Sequence, residues 1–237
     1  MSPVTFDKEI NDQIEESVEF FRINQDEFSR LAKTLLGDLS ETAQLRDYIH
    51  STKYRVKDPE HLKDKLERKA FEAIKNGKDY DITTNNLYTK IDDLAGVRLL
   101  HLYTHQLEPI HAGILDILKE YRYHSVRKPI AYTWDIENKE YFEKLGFKAH
   151  LRKSLYTSVH YIIEPNRRTK MRCEVQVRTL AEEIWSEVSH SINYPHETKS
   201  LACKEQLKVL ARVASGCTRL VDSIYTCFED YCKSTET

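Results

Sequence analysis

The sequence predicts an α+β fold, a mixed β-sheet flanked by helices, with helical stretches at both ends of the chain. Three observations carry this. Short apolar runs bounded by polar turns fall at 95–103, 156–163 and 171–178, each of strand length. Apolar residues repeat at helical spacing near the start and again beyond Thr179. Six glycines, six prolines and no visible repeat leave no linker, so the 237 residues read as one continuous domain.

Ile14, Val18, Phe21, Phe28, Leu31 and Leu35 share one helical face, which predicts a single opening helix ending near Gly37. A second helix is announced by Asp58 as N-cap with Pro59 just inside, and Leu62, Leu66, Ala70 and Ala73 mark its apolar face. Its other face carries His61, Lys65 and Arg68. Ala95–Tyr103 (AGVRLLHLY) suits a strand, and Pro109 then opens a helix through Ile110, Ile114 and Leu118. Tyr156–Ile163 and Met171–Arg178 read as strands of a hairpin turning near Pro165 and Asn166. Helical spacing returns through Leu180, Ile184 and Val188, and again from Leu201 to about Tyr231.

Composition narrows the function classes. Charged residues reach 31%, and 36 basic against 38 acidic residues give a net charge of −2, which argues against a generally basic nucleic-acid coat protein. The balance is uneven along the chain. The first 30 residues carry −5, 53–78 carry +4, and 144–178, with nine basic residues against Glu164 and Glu174, carry +7. Basic segments of this kind suit polyphosphate or nucleic acid. No apolar run is long enough for a membrane span, the acidic start lacks a signal-peptide layout, and five unpaired-looking cysteines point to reduced thiols, so a cytoplasmic protein is expected.

Asp93 stands just before an apolar strand and Glu174 lies on a later one. Two carboxylates presented by neighbouring strands suit Mg²⁺ held against substrate phosphates. Alternation places Glu174, Gln176 and Arg178 on one face of their strand, and Tyr156, Ser158 and His160 on one face of theirs. Tyr54-Arg55-Val56-Lys57, followed by Lys65, sets cations at a helix N-terminus, where anions are held favourably. Glu187 and His190 have the spacing of half a di-iron motif, but a second copy and further glutamates are missing.

Taken in order, the blocks YRVKDPEHLKDKLERK, DDLAGVR, YTSVHY, CEVQVRT and IWSEVSH resemble the synthetase domain of the RelA/SpoT family, which makes the alarmones ppGpp and pppGpp. The resemblance runs from about Tyr54 to His190. It implies a nucleotidyltransferase-like fold over 1–237, with a helical part at 1–50, a catalytic core at 51–195 and a C-terminal helical part at 196–237. It also implies transfer of the β,γ-diphosphate of ATP to the 3′-hydroxyl of GDP or GTP. By position, Arg55, Lys57 and Lys65 would bind ATP, Asp93 and Glu174 would hold Mg²⁺ and carry catalysis, and Tyr156 and His160 would bind the acceptor. Arg98, Ser158, Gln176 and Arg178 would support them.

Two departures stand out. Ser154-Leu155 precedes the stacking tyrosine where the family has a small polar residue and glycine, and His61 replaces a common serine. No His-Asp dipeptide marks a hydrolase domain, so the chain looks like a small, synthetase-only member. Other acceptors stay open: some relatives act as toxins under an antitoxin's control and modify adenine nucleotides or the tRNA 3′ end. A nucleotide-binding module without catalysis and a homo-oligomer also stay open, the latter through the C-terminal helix around Cys217 and Leu220.

Overall fold

A computed structural model describes residues 6–193 and 197–235. In chain order the elements are α1 (Lys8–Ile23), α2 (Gln25–Glu41), α3 (Ala43–Arg46), β1 (Ser51–Val56), α4 (Pro59–Lys75), α5 (Leu87–Lys90), β2 (Ala95–His101) and α6 (Leu107–Glu120). They continue with β3 (His124–Ser125), β4 (Ile130–Thr133), α7 (Ile136–Lys144), β5 (Lys148–Leu151), β6 (Ser158–Glu164), β7 (Cys173–Thr179), α8 (Leu180–Asn193) and α9 (Leu201–Thr235). The strands form one mixed sheet in the order β1-β2-β7-β6-β4-β5, with β3 paired to the far end of β6. β2 and β7 are parallel, as are β4 and β5, while the other pairs run antiparallel.

Alternation along the central strands separates two faces. Val97 and Leu99, Val175 and Val177, and Val159, Tyr161 and Ile163 are buried in one continuous apolar cluster with residues of α1, α2, α4 and α6. The opposite face carries Arg98, Glu174, Gln176, Arg178, Ser158 and His160, and it is there that the charged residues meet. A smaller cluster of Trp185, Ala211 and Ala214 joins α8 to α9, helped by a 2.9 Å hydrogen bond from Trp185 Nε1 to the Leu207 carbonyl. Among the described residues no helix is long and apolar enough to cross a membrane.

Four expectations are corrected. The opening helix is two helices, broken at Asn24, whose side-chain Nδ2 donates to the Phe20 carbonyl (2.7 Å) and ends α1. α2 then runs through Gly37 to Glu41, because buried Leu39 continues the apolar stripe. The helix expected to open at Pro109 begins at Leu107, which leaves the proline in the first turn, where its missing N–H costs nothing. The strand expected from Tyr156 starts at Ser158, after Leu155 takes a left-handed φ of 60°. Tyr156 therefore lies outside the strand whose alternation was to place it.

Candidate active site

One corner of the polar face is built by β1, α4 and the turn before β2. The Asp58 carboxylate accepts from the Glu60 and His61 backbone N–H groups (2.9 and 3.1 Å), and with Pro59 it starts α4 directly after β1. That fixes Lys57, at the strand's exit, and Lys65, two turns into the helix, around one carboxylate. Lys57 Nζ lies 3.1 Å from Asp93 Oδ2 and Lys65 Nζ 2.7 Å from Oδ1. All three side chains are largely buried. Burial alone would raise the Asp93 pKa, but the two ammonium groups overcome it and hold the carboxyl far below the usual range. Burial likewise pushes the Lys57 ammonium down, against the pull of Asp93.

The β6–β7 hairpin builds a second, linear array. Its register sets His160 opposite Gln176 and Ile162 opposite Glu174. His160 Nδ1 is 2.9 Å from Glu174 Oε1, and its Nε2 is 2.9 Å from the Tyr156 hydroxyl. Gln176 Nε2 donates to Glu174 Oε2 (2.6 Å), and Arg178 Nη2 donates to Gln176 Oε1 (3.3 Å). Burial raises the Glu174 pKa, but the His160 hydrogen bond heads the opposing effects and the net shift is downward. An ionised Glu174 only accepts, so His160 Nδ1 donates to it. Ser158 is buried, its hydroxyl bonded to the Val177 carbonyl (3.3 Å), and so ties the two strands together.

Arg55 links the corner to the hairpin. In the β1–β2 register it faces Gly96, where an added Cβ would come within 3.2 Å of the Arg55 Cγ and Nε atoms. The missing side chain lets Arg55 lie across β2 and bring Nη2 to 3.9 Å from Glu174 Oε2. Arg98 lies two residues along β2. Its Nη1 bonds Glu183 (2.8 Å) and Glu187 of α8, while the same Glu183 lies 2.8 Å from Arg178 Nε. Arg178 is 2% exposed, with its guanidinium 5.7 Å from the Tyr156 ring centroid. Burial raises the Tyr156 pKa, and the residue packs against the cluster of Trp185, Ala211 and Ala214.

The structure thus gathers Arg55, Lys57, Lys65, Arg98, Asp93, Tyr156, His160, Glu174, Gln176 and Arg178 on one face, with Ser158 beneath. Sequence reasoning gave no role at this face to Glu183, Glu187, Tyr132 or Arg152. Glu183 and Glu187 clamp the arginines. Tyr132 on β4 stands edge-on to His160 (5.0 Å between centroids) and carries the Arg152 guanidinium 4.2 Å from its own ring. Strand-like alternation around Tyr132 could have signalled it, but IAYT is too short a run to register. His61, the departure noted on α4, lies with its ring 6.2 Å from that of His190.

A mixed sheet presenting two carboxylates among clustered cations defines an α+β protein with a charged face set between its helices. The family model described as "Region found in RelA / SpoT proteins" matches residues 54–199, more than half of the chain, and the protein belongs to the RelA/SpoT family. The chain is 28% identical over 151 residues to the GTP pyrophosphokinase YwaC of Bacillus subtilis, an alignment covering 62% of this chain and 59% of that protein. It therefore spans about three fifths of that relative's length. A GTP pyrophosphokinase family protein from Streptococcus pneumoniae superposes with a TM-score of 0.60 at 20% identity, over 95% of this chain and 97% of that one. Small alarmone synthetase 1 of Bacillus subtilis, bound to its product pppGpp, gives 0.60 at 19% identity, over 84% and 93%. These two likenesses establish the fold.

Proposed function

We propose that the protein transfers the β,γ-diphosphate of ATP to the 3′-hydroxyl of GDP or GTP, making ppGpp or pppGpp. The observation that carries this is Arg55 lying over Gly96, which joins a lysine-flanked carboxylate to the Glu174–His160–Tyr156 array. One side is fitted for a polyphosphate, the other for a hydroxyl and a base. The product held by the Bacillus synthetase and the name of the YwaC relative support the same reading.

In the reaction the 3′-oxygen attacks the β-phosphorus of ATP, the bond from that phosphorus to the α,β-bridging oxygen breaks, and AMP leaves carrying that oxygen. Lys57, Lys65 and Arg55 bind the phosphates and stabilise charge moving onto the leaving group. Glu174 accepts the hydroxyl proton, with His160 and Gln176 fixing its two oxygens. Tyr156 offers a ring on which the acceptor base stacks. Asp93 and Glu174, both held below the usual carboxylate range, would be the oxygen ligands for Mg²⁺, which would take the place of the Lys57 and Lys65 ammonium groups on Asp93 as these turn to the phosphates. Bound there, Mg²⁺ would supply neutralisation of the polyphosphate charge.

A second acceptor fits one further observation. Arg152 lies over the Tyr132 ring, and it and the exposed Lys148 and Lys153 have no carboxylate partner among the described residues. Such an edge would suit the backbone of a tRNA 3′ end. Incubation with γ-labelled ATP and, in parallel, GDP, GTP, ADP and deacylated tRNA decides. Label on GDP or GTP is the expected result, label on tRNA alone would replace the guanine nucleotide by RNA, and no transfer would leave a nucleotide-binding module. Since both nucleotide substrates are cytosolic, we place the protein in the cytoplasm.

A further inference from the structure

The consecutive carboxylates Asp92 and Asp93 divide between two sets of cations. Asp93 turns to Lys57 and Lys65, while Asp92 turns to two arginines. Arg172, the residue just before β7, donates through Nη1 to Asp92 Oδ1 (2.9 Å) and to the Thr89 carbonyl in α5. Arg127, between β3 and β4, brings Nη2 to 2.8 Å from Asp92 Oδ2. The Arg172 side chain is only 16% exposed, and its Nε lies 3.9 Å from the buried Glu164 carboxylate at the end of β6. Both Asp92 oxygens thus face guanidinium groups, and Asp93 is the one of the two that faces the site.

Position gives this bridge its consequence. Asp92 precedes one carboxylate of the proposed reaction by one residue, and Arg172 precedes the other, Glu174, by two. The pairing of β2 with β7 begins at Ala95 and Cys173, so the turn holding Asp93 lies before that register starts. After burial and the His160 contacts, the charge of Asp93 is the next influence on Glu174, so the two carboxylates share one region. The lysines on Asp93 are one tie on the turn. In the proposed reaction their ammonium groups turn to the phosphates, and that tie is released. The guanidinium bridge on Asp92 involves no substrate and stays.

We propose that Arg172 is a positioning residue: through Asp92 it holds the turn that presents Asp93 at a fixed spacing from Glu174 while Lys57 and Lys65 engage the phosphates. This rests on the reading of Asp93 and Glu174 as the pair that shares Mg²⁺ with the substrate. Arginine suits the task because its planar fork bonds a carboxylate and a carbonyl at once. Its effect passes through the two carboxylates, as for the outer partners of metal ligands in general.

The test uses Mn²⁺ as probe, its binding to the full chain followed by electron paramagnetic resonance beside α,β-methylene ATP, in which the bond to be broken is replaced. In Arg172→Met, Mn²⁺ affinity should fall by about 10-fold or more and kcat with Mg²⁺ by about 10-fold to 100-fold. Affinity for the analogue without metal should stay at the wild-type level, since Arg55, Lys57 and Lys65 are untouched. A folded Arg172→Met that binds Mn²⁺ and turns over like the wild type would overturn the proposal. So would an equal loss of metal-free nucleotide affinity, which would assign Arg172 to the phosphates. Asp92→Asn should show the same pattern, and the double variant should lose no more than the worse single one; losses that multiply would mean that Arg172 does not act through Asp92. Should Arg172→Met melt below the assay temperature, the isosteric Asp92→Asn carries the comparison. A wild type that binds no Mn²⁺ beside the analogue would overturn the metal reading and this inference together, whereas binding shared equally by the wild type and both variants would overturn only the inference.

Discussion

His160 Nδ1 meets Glu174 Oε1 at 2.9 Å across the β6–β7 hairpin, while the opposite ring nitrogen meets the Tyr156 hydroxyl at the same distance. The imidazole thus transmits the position of a residue outside the strand to the carboxylate within it. It also keeps that carboxylate ionised against its burial. A carboxyl whose pKa is lowered on folding contributes stability above its unfolded value, about 4.3, and loses it as pH falls through the lower folded value. In His160→Gln burial dominates and the Glu174 pKa rises. The acid limb of the kcat profile should therefore move to higher pH, and an unmoved limb would show that His160 does not set this pKa.

Glu174→Gln keeps the shape and the Gln176 neighbour but removes the proton acceptor. Transfer should fall by at least about 10³-fold, with ATP affinity within a few-fold of wild type by calorimetry. Normal turnover by this variant would remove Glu174 from the mechanism.

Asp93 faces two ammonium groups in a mostly buried corner, so its loss should be felt in stability as well as activity. Asp93→Asn leaves both cations without a counter-charge, at a cost of about 2–4 kcal/mol, below the upper range for buried pairs because Lys65 is a quarter exposed. Adding Lys57→Met should recover part of that loss in urea unfolding while leaving the enzyme inactive. Recovery of activity would contradict the assignment of Asp93 to the reaction.

Tyr156→Phe and Tyr156→Ala separate two roles of one residue. Phe keeps the ring and loses the bond to His160, so acceptor KM should change little while the pH profile shifts. Ala loses the stacking surface, and acceptor KM should rise by about 10-fold or more, in keeping with 1–3 kcal/mol per stacked base. An equal rise in ATP KM would refute the stacking role.

The pattern of legibility follows from what each element buries. Ala95–His101 and Cys173–Thr179 have apolar residues on their core-facing side, so the strands carrying Arg98 and Glu174 were visible, and the two blocks DLAGVR and EVQVRT placed the carboxylates. β1 was not. Ser51–Val56 is an edge strand with three exposed residues, and its cations read as a prelude to α4. The helix break at Asn24 depends on a side-chain bond to Phe20 that periodicity does not encode. The left-handed Leu155, where glycine is the usual residue, was noticed as a departure without its consequence for Tyr156. The α8 clamps needed tertiary structure, since Arg98 and Glu183 are 85 residues apart in the chain.

Gly96→Ala tests whether the open space over β2 matters for chemistry. An added Cβ would stand 3.2 Å from Arg55 Cγ and Nε and 3.6 Å from the Glu174 carbonyl, so the backbone tolerates it and the arginine has to yield. A Gly-to-Ala change at a compatible backbone position often raises stability by about 0.4–1 kcal/mol through the unfolded chain. Thermal stability should thus hold or rise slightly. Arg55, displaced from its approach to Glu174, should lose its grip on the transferring phosphates, and kcat should fall by about 10-fold to 100-fold, as for small misplacements of catalytic groups. Stability and activity would then move in opposite directions, which simple misfolding cannot produce. Unchanged kcat with a cooperative melt would mean that Arg55 serves the substrate from another rotamer and that the close approach over Gly96 is incidental.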